Sequence, residues 1–473
     1  MSVHILKGSD KMSKIKIINA LVLTMDRRNR ILNDTTIMIE NDKIVDISRI
    51  ADDNSKQRSE KRDDIDVIDA SGMIVIPGLV NCHVHTVQTL FRGVAPDGLE
   101  LLPWLQEYIY PMESVMDREE VYVSSLLGYA ELIRSGTTTC ADMQSVRYTD
   151  KAFQAAERIG IRATIAKAMM DNEESVPESL LEDTSDSIRE SERLIRQWNN
   201  IDNGRLRCMF GPRFIQGCTT KLLKEISEIM NIEDIGIHIH AAENLQEIQN
   251  DMKRYKKRSI EILDEFGIVG PKSILAHCVH LSDAEFNILS KKEANIVHCP
   301  SSNLKLASGI CPVPRLLENR INVTIGADGA ACNDNLDLFK DMKLAALLSR
   351  ISKGSETFTT SAMDILESAT KAGAKALGMS DRIGSIELGK KADLVLVSLC
   401  NPEMTPLFNI PNQLVYATDG HNVDTVIIDG KIVLKNRKLT QIKETDLISD
   451  SQSMAKRIAE KSGIDRKIVN FNS

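Results

Sequence analysis

The stretch Pro77-Gly-Leu-Val-Asn-Cys-His-Val-His85 sets two imidazoles two residues apart. On extended backbone, alternate residues share a face, so His83 and His85 can reach one metal ion together. Three more histidines and a carboxylate each close a short apolar run. They are His240 in His238-Ile-His-Ala-Ala-Glu243, His277 in Ala276-His-Cys-Val-His280, His298 after Asn295-Ile-Val, and Asp328 in Gly326-Ala-Asp-Gly. The chain has only nine histidines, so five in such places form a constellation rather than a scatter. Nitrogen and oxygen ligands in this number, with one position open, describe a catalytic metal site. Zn²⁺ suits the set and Fe²⁺ would also fit. Such an ion lowers the pKa of its water towards about 7 and supplies hydroxide at neutral pH.

His83, His85, His240 and Asp328 are the expected ligands. His277 either ligates the ion or hydrogen-bonds its water. His238 shares a face with His240 but lies deeper in its strand, which reads as a buried layer residue. Glu243, three residues past the ligand, is placed to shuttle a proton; the plainer reading is a helix N-terminal carboxylate favoured by the dipole. Asp328 can both bind metal and take a proton from water, against the alternative of an Asx turn before Gly329. His298 is a candidate for the pocket, and His280 reads as structural.

These residues need a scaffold that gathers strand ends. Eight apolar segments stand out: Met73–Leu79, Thr138–Asp142, Ala163–Ala168, Leu206–Phe210, Ile235–His240, Ser273–His277, Asn295–His298 and Asn322–Gly326. Helical patterns separate most of them; Val123, Leu126, Leu127, Ala130 and Ile133 keep helical spacing and stop at Gly136. Alternating strand and helix over this span points to a (β/α)₈ TIM barrel, whose active sites lie at the C-terminal strand ends. The two chain ends read as β: Ile15 to about Ile50 on one side, Ala392–Val397 and a hairpin around Asp429-Gly430 on the other. The expected organisation is therefore 1–72 as the N-terminal part of a composite β-sandwich, 73–385 as the barrel, and 386–473 as the C-terminal part. The last contains an amphipathic helix over Leu447–Lys461 packed on the outside. Residues 51–66 read as a charged loop.

Composition narrows the class. Lys and Arg number 59 against 67 Asp and Glu, a net charge of −8 with no basic block. Nucleic-acid binding is disfavoured, because phosphate neutralisation needs clustered cations. No apolar run reaches the roughly 18 residues of a membrane span, and the opening Met-Ser-Val-His-Ile-Leu-Lys lacks a signal-peptide core. Nine scattered cysteines without a Cys-x-x-Cys fit reduced thiols in a cytoplasmic enzyme. Cys82, Cys278 and Cys299 each neighbour a histidine and read as packing behind the site.

The pieces together resemble the amidohydrolase superfamily over nearly the whole chain. They include the His-Val-His segment, Ser135-Gly-Thr-Thr-Thr, His-Ile-His-Ala-Ala-Glu, Leu275-Ala-His-Cys-Val-His and Gly-Ala-Asp-Gly-Ala. Gly384-Ser-Ile-Glu-Leu-Gly-Lys-Lys-Ala-Asp-Leu-Val is similar to the family's C-terminal β segment. Dinuclear members carry a lysine on the fourth strand; here that strand ends Met209-Phe-Gly-Pro-Arg213, so the resemblance implies one metal. Within the superfamily the chain looks like the methylthioadenosine/S-adenosylhomocysteine deaminases and 5′-deoxyadenosine deaminases (the ATZ/TRZ-like group). His298-Cys-Pro-Ser-Ser-Asn-Leu-Lys-Leu-Ala-Ser-Gly309 and Leu336–Leu348 carry that likeness. Leu102-Pro-Trp-Leu-Gln-Glu-Tyr-Ile-Tyr-Pro-Met-Glu113 ends in the glutamate those enzymes use on ribose hydroxyls. Many of the group have Gly-Pro-His where this chain has Gly211-Pro212-Arg213, and an arginine cannot accept a hydrogen bond. That form, with Lys167-Ala-Met-Met-Asp171, looks more like the 5′-deoxyadenosine branch.

The resemblance thus implies a hydrolytic deaminase of 5′-modified adenosines. Its substrate is a small nucleoside, contacted by Glu113, Arg213, Lys167, His298 and Glu243. Its cofactor is one Zn²⁺ per subunit, and its state a homo-oligomer, dimer or tetramer. The alternatives are an amidohydrolase of a free base or s-triazine ring, and, more remotely, a non-catalytic scaffold.

Overall fold

The structure, a computed structural model, describes residues 13–49, 65–352 and 360–467. The opening seven residues and most of the charged loop read at 51–66 lie outside the described residues.

Eight parallel strands follow one another around a ring: Leu79–His85, Thr137–Met143, Arg162–Met169, Leu206–Pro212, Ile237–Ala241, Ser273–His277, Asn295–His298 and Asn322–Ile325. Just past the eighth, Asp328 and Gly329 pair in parallel with Val84 and His85 of the first, which closes the ring. The chain between strands returns through helices such as Arg118–Arg134 and Thr149–Ile159. The first of these starts at Asp117, whose carboxylate caps the amides of Glu119 and Glu120. Most strand residues are buried on both faces, as a sheet covered by helices outside and packed side chains inside requires.

The first barrel strand differs from expectation. Met73–Pro77 pairs antiparallel with Leu394–Ser398 and parallel with Leu21 and Val22, so it belongs to the chain-end sheet. The barrel begins at Leu79. The run from Met73 to Val80 is apolar throughout, and either sheet could bury it; Pro77 and Gly78 mark the crossing. A Cβ on Gly78 would lie 2.0 Å from Thr138 Oγ1, so only glycine passes there.

The chain ends build one mixed sheet. Its order runs Lys438–Leu439, Lys431–Lys435, Val423–Ile428, Leu394–Ser398, Met73–Pro77, Lys14–Leu23, Ile31–Glu40, Lys43–Arg49, with Ile65–Asp69 also on Lys14–Leu23. The hairpin turns at Asp429-Gly430, both at positive φ. Ile386 packs in this sheet's own core with Ile17, Val22 and Leu396.

One buried cation joins the two sheets. Arg162 opens the third barrel strand, is 0 % exposed, and donates to both oxygens of Asp393 and to Asp429. Removing one partner of a buried ion pair strands the other charge, at about 3–5 kcal/mol. Arg162→Leu is therefore expected to lower unfolding free energy by about that much, read by chemical denaturation.

The mouth of the barrel is covered by a continuous helical segment, Leu101–Val115, whose middle (Leu105–Ile109) is a π-helix. Such wide turns are rare and cluster at functional sites. The terminal helix, Glu444–Ser462, buttresses this cover. Its Arg457 and Lys461 pair with Glu120, and Ile458 joins Trp104, Leu105 and Tyr108 in one apolar cluster.

Candidate active site

The C-terminal ends of the first, fifth and sixth strands and the residue after the eighth converge on one point. Asp328 Oδ1 lies 3.3 Å from His83 Nε2 and 3.4 Å from His85 Nε2. His85 Nε2 and His240 Nε2 are 3.1 Å apart. His83, His240 and His277 also bring their ligand atoms within 4.8 Å of one another. Donors at 2.0–2.1 Å from a tetrahedral ion stand about 3.3 Å from each other, so these spacings match.

The outer nitrogens aim the rings. His85 Nδ1 faces the Met143 carbonyl at 2.8 Å, and His240 Nδ1 the Arg213 carbonyl at 2.5 Å. A carbonyl only accepts, so both Nδ1 atoms carry the proton and both Nε2 atoms present lone pairs. Two lone pairs and the Asp328 carboxylate then face one another with nothing positive between them. A cation resolves that opposition, and the donor set fits Zn²⁺ or Fe²⁺. His83 Nδ1 meets His238 Nε2 at 2.7 Å, and His277 Nδ1 meets Asn303 Oδ1 at 2.8 Å. These contacts orient the two rings from behind. His83 Nε2 and His277 Nε2 are buried without a hydrogen-bond partner among the described residues.

Electrostatics keep the candidate ligands in the form that could bind a metal. Burial pushes His83 down to about 4 and His240 well below the usual imidazole value, so both stay neutral. Burial alone would raise Asp328, but the contact with His83 and the neighbouring imidazoles hold it well below the usual carboxylate range. His277 and Asp328 both sit at positive φ, 74° and 59°. Such backbone costs about 1–3 kcal/mol per residue and is typical of functional sites.

Glu243 stands beside this cluster, its Oε2 3.6 Å from His277 Nε2, and Ser308 donates to its Oε1 at 3.3 Å. Burial raises its pKa, the direction a proton donor needs. Glu247 fixes it in place: its two oxygens accept from the amides of Ala242 (3.2 Å) and Glu243 (2.7 Å). Sequence reading passed over Glu247, although Asn244-x-x-Glu247 is a helix-start pattern that could have drawn attention to it.

A cavity of about 250 Å³ opens over the cluster, lined by His85, His240, Glu243, His277 and Asp328 at its floor. Leu101, Leu102, Trp104, Leu105, Phe214 and Leu306 form an apolar wall, and Gln88 and Arg213 supply polar groups. Three expected substrate contacts are not in this lining. Glu113 is buried behind it, held by Arg213 through both oxygens at 2.8 and 3.0 Å. Lys167 points into the helical layer, bonded to Glu182 and Ser187. A strand buried on both faces hides which side a residue takes, and here the outer side holds an acidic partner. His298 ends the seventh strand fully buried, with burial pushing its pKa to about 3.

The Amidohydrolase family pattern matches residues 74–433. The chain belongs to this family. It is 40 % identical to a 5′-deoxyadenosine deaminase of Methanosarcina acetivorans, over 94 % of this chain and 99 % of that protein. It is 38 % identical to a 5-methylthioadenosine/S-adenosylhomocysteine deaminase of Desulforudis audaxviator, over 84 % and 89 %. Among solved structures, a zinc-bound adenosine deaminase of Xanthomonas campestris superposes with a TM-score of 0.87 at 31 % identity, covering 95 % and 99 % of the two chains. In a barrel of this kind, the C-terminal strand ends that carry the cluster are where active sites lie.

Proposed function

We propose that this amidohydrolase deaminates 5′-modified adenosines, such as 5′-deoxyadenosine, methylthioadenosine and S-adenosylhomocysteine. The observation that carries the reading is the opposed set of lone pairs and carboxylate at the floor of a nucleoside-sized cavity, with Glu243 beside it. The relatives named above support the substrate class.

His83, His85, His240 and Asp328 would hold one zinc ion, with His277 at its edge. When bound, the ion supplies hydroxide and Lewis-acid polarisation at neutral pH. Glu243 hands its proton to N1 of the purine, takes up the proton left on the newly added oxygen and gives it to the departing nitrogen; the proton that Asp328 accepts then returns to Glu243 and resets the site. Asp328 accepts the proton of the attacking water, and His277 steadies charge developing at the attacked carbon's oxygen. Water adds at C6, the C6–N6 bond breaks, and ammonia leaves with an inosine analogue as product. The apolar wall around Trp104 and Leu306 suits the uncharged 5′ groups of 5′-deoxyadenosine and methylthioadenosine, and the polar lining at Glu174, Gln216 and Asn250 suits the charged end of S-adenosylhomocysteine. No described helix is long and apolar enough to cross a membrane. The described cysteines are free thiols, all buried save Cys400, which supports a reducing, cytoplasmic setting. A homo-oligomer of two or four copies remains part of the proposal on family grounds.

Ammonia release tests the reading against adenosine, 5′-deoxyadenosine, methylthioadenosine, S-adenosylhomocysteine, guanine, cytosine and a chlorotriazine. Turnover is expected on the 5′-modified adenosines. Turnover confined to a free base or triazine would overturn it in favour of the other amidohydrolase reading.

A further inference from the structure

We propose that His280 is a positioning residue for Glu243: it holds the segment 303–309 in place, so that the Ser308 hydroxyl fixes which oxygen of Glu243 carries the proton. The inference rests on the reading of Glu243 as proton carrier and adds the residue that aims it.

His280 lies three residues past the sixth barrel strand and is partly buried. Its Nε2 meets the Ser308 carbonyl at 2.7 Å. A carbonyl only accepts, so Nε2 carries a proton and donates. The His280 carbonyl in turn accepts from Arg258 Nη2 at 2.6 Å, and Arg258 Nε donates to buried Glu285 at 2.7 Å. Arg258 and Glu285 stand at the starts of two outer helices, Ser259–Glu265 and Asp283–Lys291, so the residue is anchored from outside the barrel.

The segment that His280 holds carries three contacts of the site. Asn303 Oδ1 faces His277 Nδ1 at 2.8 Å, Leu306 stands in the cavity wall, and Ser308 Oγ donates to Glu243 Oε1 at 3.3 Å. The segment is drawn tight by its own backbone: the amides of Ser308 and Gly309 both donate to the Asn303 carbonyl, at 2.8 and 3.3 Å. It also lies close against the turn that bears His280, since a Cβ on Gly309 would be 2.9 Å from Val279 Cγ1.

The backbone end of Glu243 is tied to the same turn. The carbonyl of Ala242 accepts from the amides of Val279 and His280, at 2.9 and 3.0 Å. The hydrogen bonds thus close a circuit: Ala242 to His280 by backbone, His280 to Ser308 by the imidazole, Ser308 to Glu243 by the hydroxyl. Removing the imidazole opens the circuit at one point. The circuit also places the proton. Oε1 accepts from Ser308, and a carboxylic acid keeps its proton on the oxygen that is not accepting. The proton then stands on Oε2, the oxygen that faces His277 at 3.6 Å. Proton transfer needs its donor within hydrogen-bond reach of the acceptor, and a displacement of about 1 Å can cost about a hundredfold in rate.

Steady-state kinetics on 5′-deoxyadenosine test this. His280→Ala is expected to lower kcat about ten- to a hundredfold, with KM within about threefold of wild type and metal content unchanged. His280→Gln, whose Nε2 can donate to the same carbonyl, should keep kcat within about threefold of wild type. Ser308→Ala should match His280→Ala, and the double variant should lose no more than about threefold beyond either, because both changes break one chain of hydrogen bonds. Wild-type kcat in His280→Ala, a glutamine variant as slow as the alanine one, or fully multiplied losses in the double variant overturns the proposal. Should His280→Ala not fold, Ser308→Ala carries the decision, and wild-type kcat in it overturns the proposal. If the enzyme turns over a different ring, the same comparison is made on that ring. Failure of the proton-carrier reading shows separately, as retained turnover in Glu243→Gln; failure of the His280 role leaves Glu243→Gln inactive and His280→Ala active.

Discussion

Glu243→Gln is expected to lower kcat about a thousandfold, with metal content and thermal stability nearly unchanged. The magnitude follows from losing a positioned proton carrier, which contributes about 10²–10⁴ in rate. Each tenfold is about 1.4 kcal/mol of barrier, so the loss amounts to about 4 kcal/mol. Glutamine keeps the size of the side chain and can still meet Ser308, and the backbone clamp from Glu247 to Ala242 and Glu243 does not involve the replaced group. What disappears is a carboxyl beside His277 whose pKa burial has raised. A glutamine there can neither take a proton nor give one up to a ring nitrogen. Steady-state turnover on 5′-deoxyadenosine, with metal analysis of the same preparation, checks the prediction; a variant within tenfold of wild type would remove Glu243 from the chemistry.

The second large effect is loss of the ion. In His85→Ala, metal affinity should fall by more than the 10- to 100-fold typical of losing a group that merely orients a ligand. Activity should drop to background. His85 Nε2 is the atom that lies close to both His240 Nε2 and Asp328, so its removal leaves the remaining donors splayed around a gap. Dialysis against a mild chelator followed by elemental analysis reads the result. Full metal retention would show that His85 is not a ligand. Re-addition of zinc in excess should restore little turnover, because the ion would bind in a distorted site.

How far the chain could be read in one dimension depended on what kind of force placed each residue. Seven of the eight barrel strands stand close to where their apolar runs put them, because run length and flanking helices are local properties. The gathering of these side chains at one point was legible for a related reason. A barrel gathers all strand ends at one rim, so histidines closing separate runs, such as His85, His240 and His277, must meet. The placement of Met73–Pro77 was not legible: a continuous apolar run satisfies either sheet, and its pairing with Leu394–Ser398 is decided more than 300 residues away.

The same contrast holds for the polar groups. His83, His85, His240, Glu243, His277 and Asp328 could be singled out from residue type and spacing alone, since metal and proton chemistry demand particular atoms at strand ends. The pairing of Arg213 with Glu113 and the turn of Lys167 towards Glu182 were decided only by the tertiary structure. Each depends on which donor meets which acceptor across a long stretch of chain. Hydrogen bonds are short-ranged and directional, and only the folded chain brings such partners within 3 Å or so of each other.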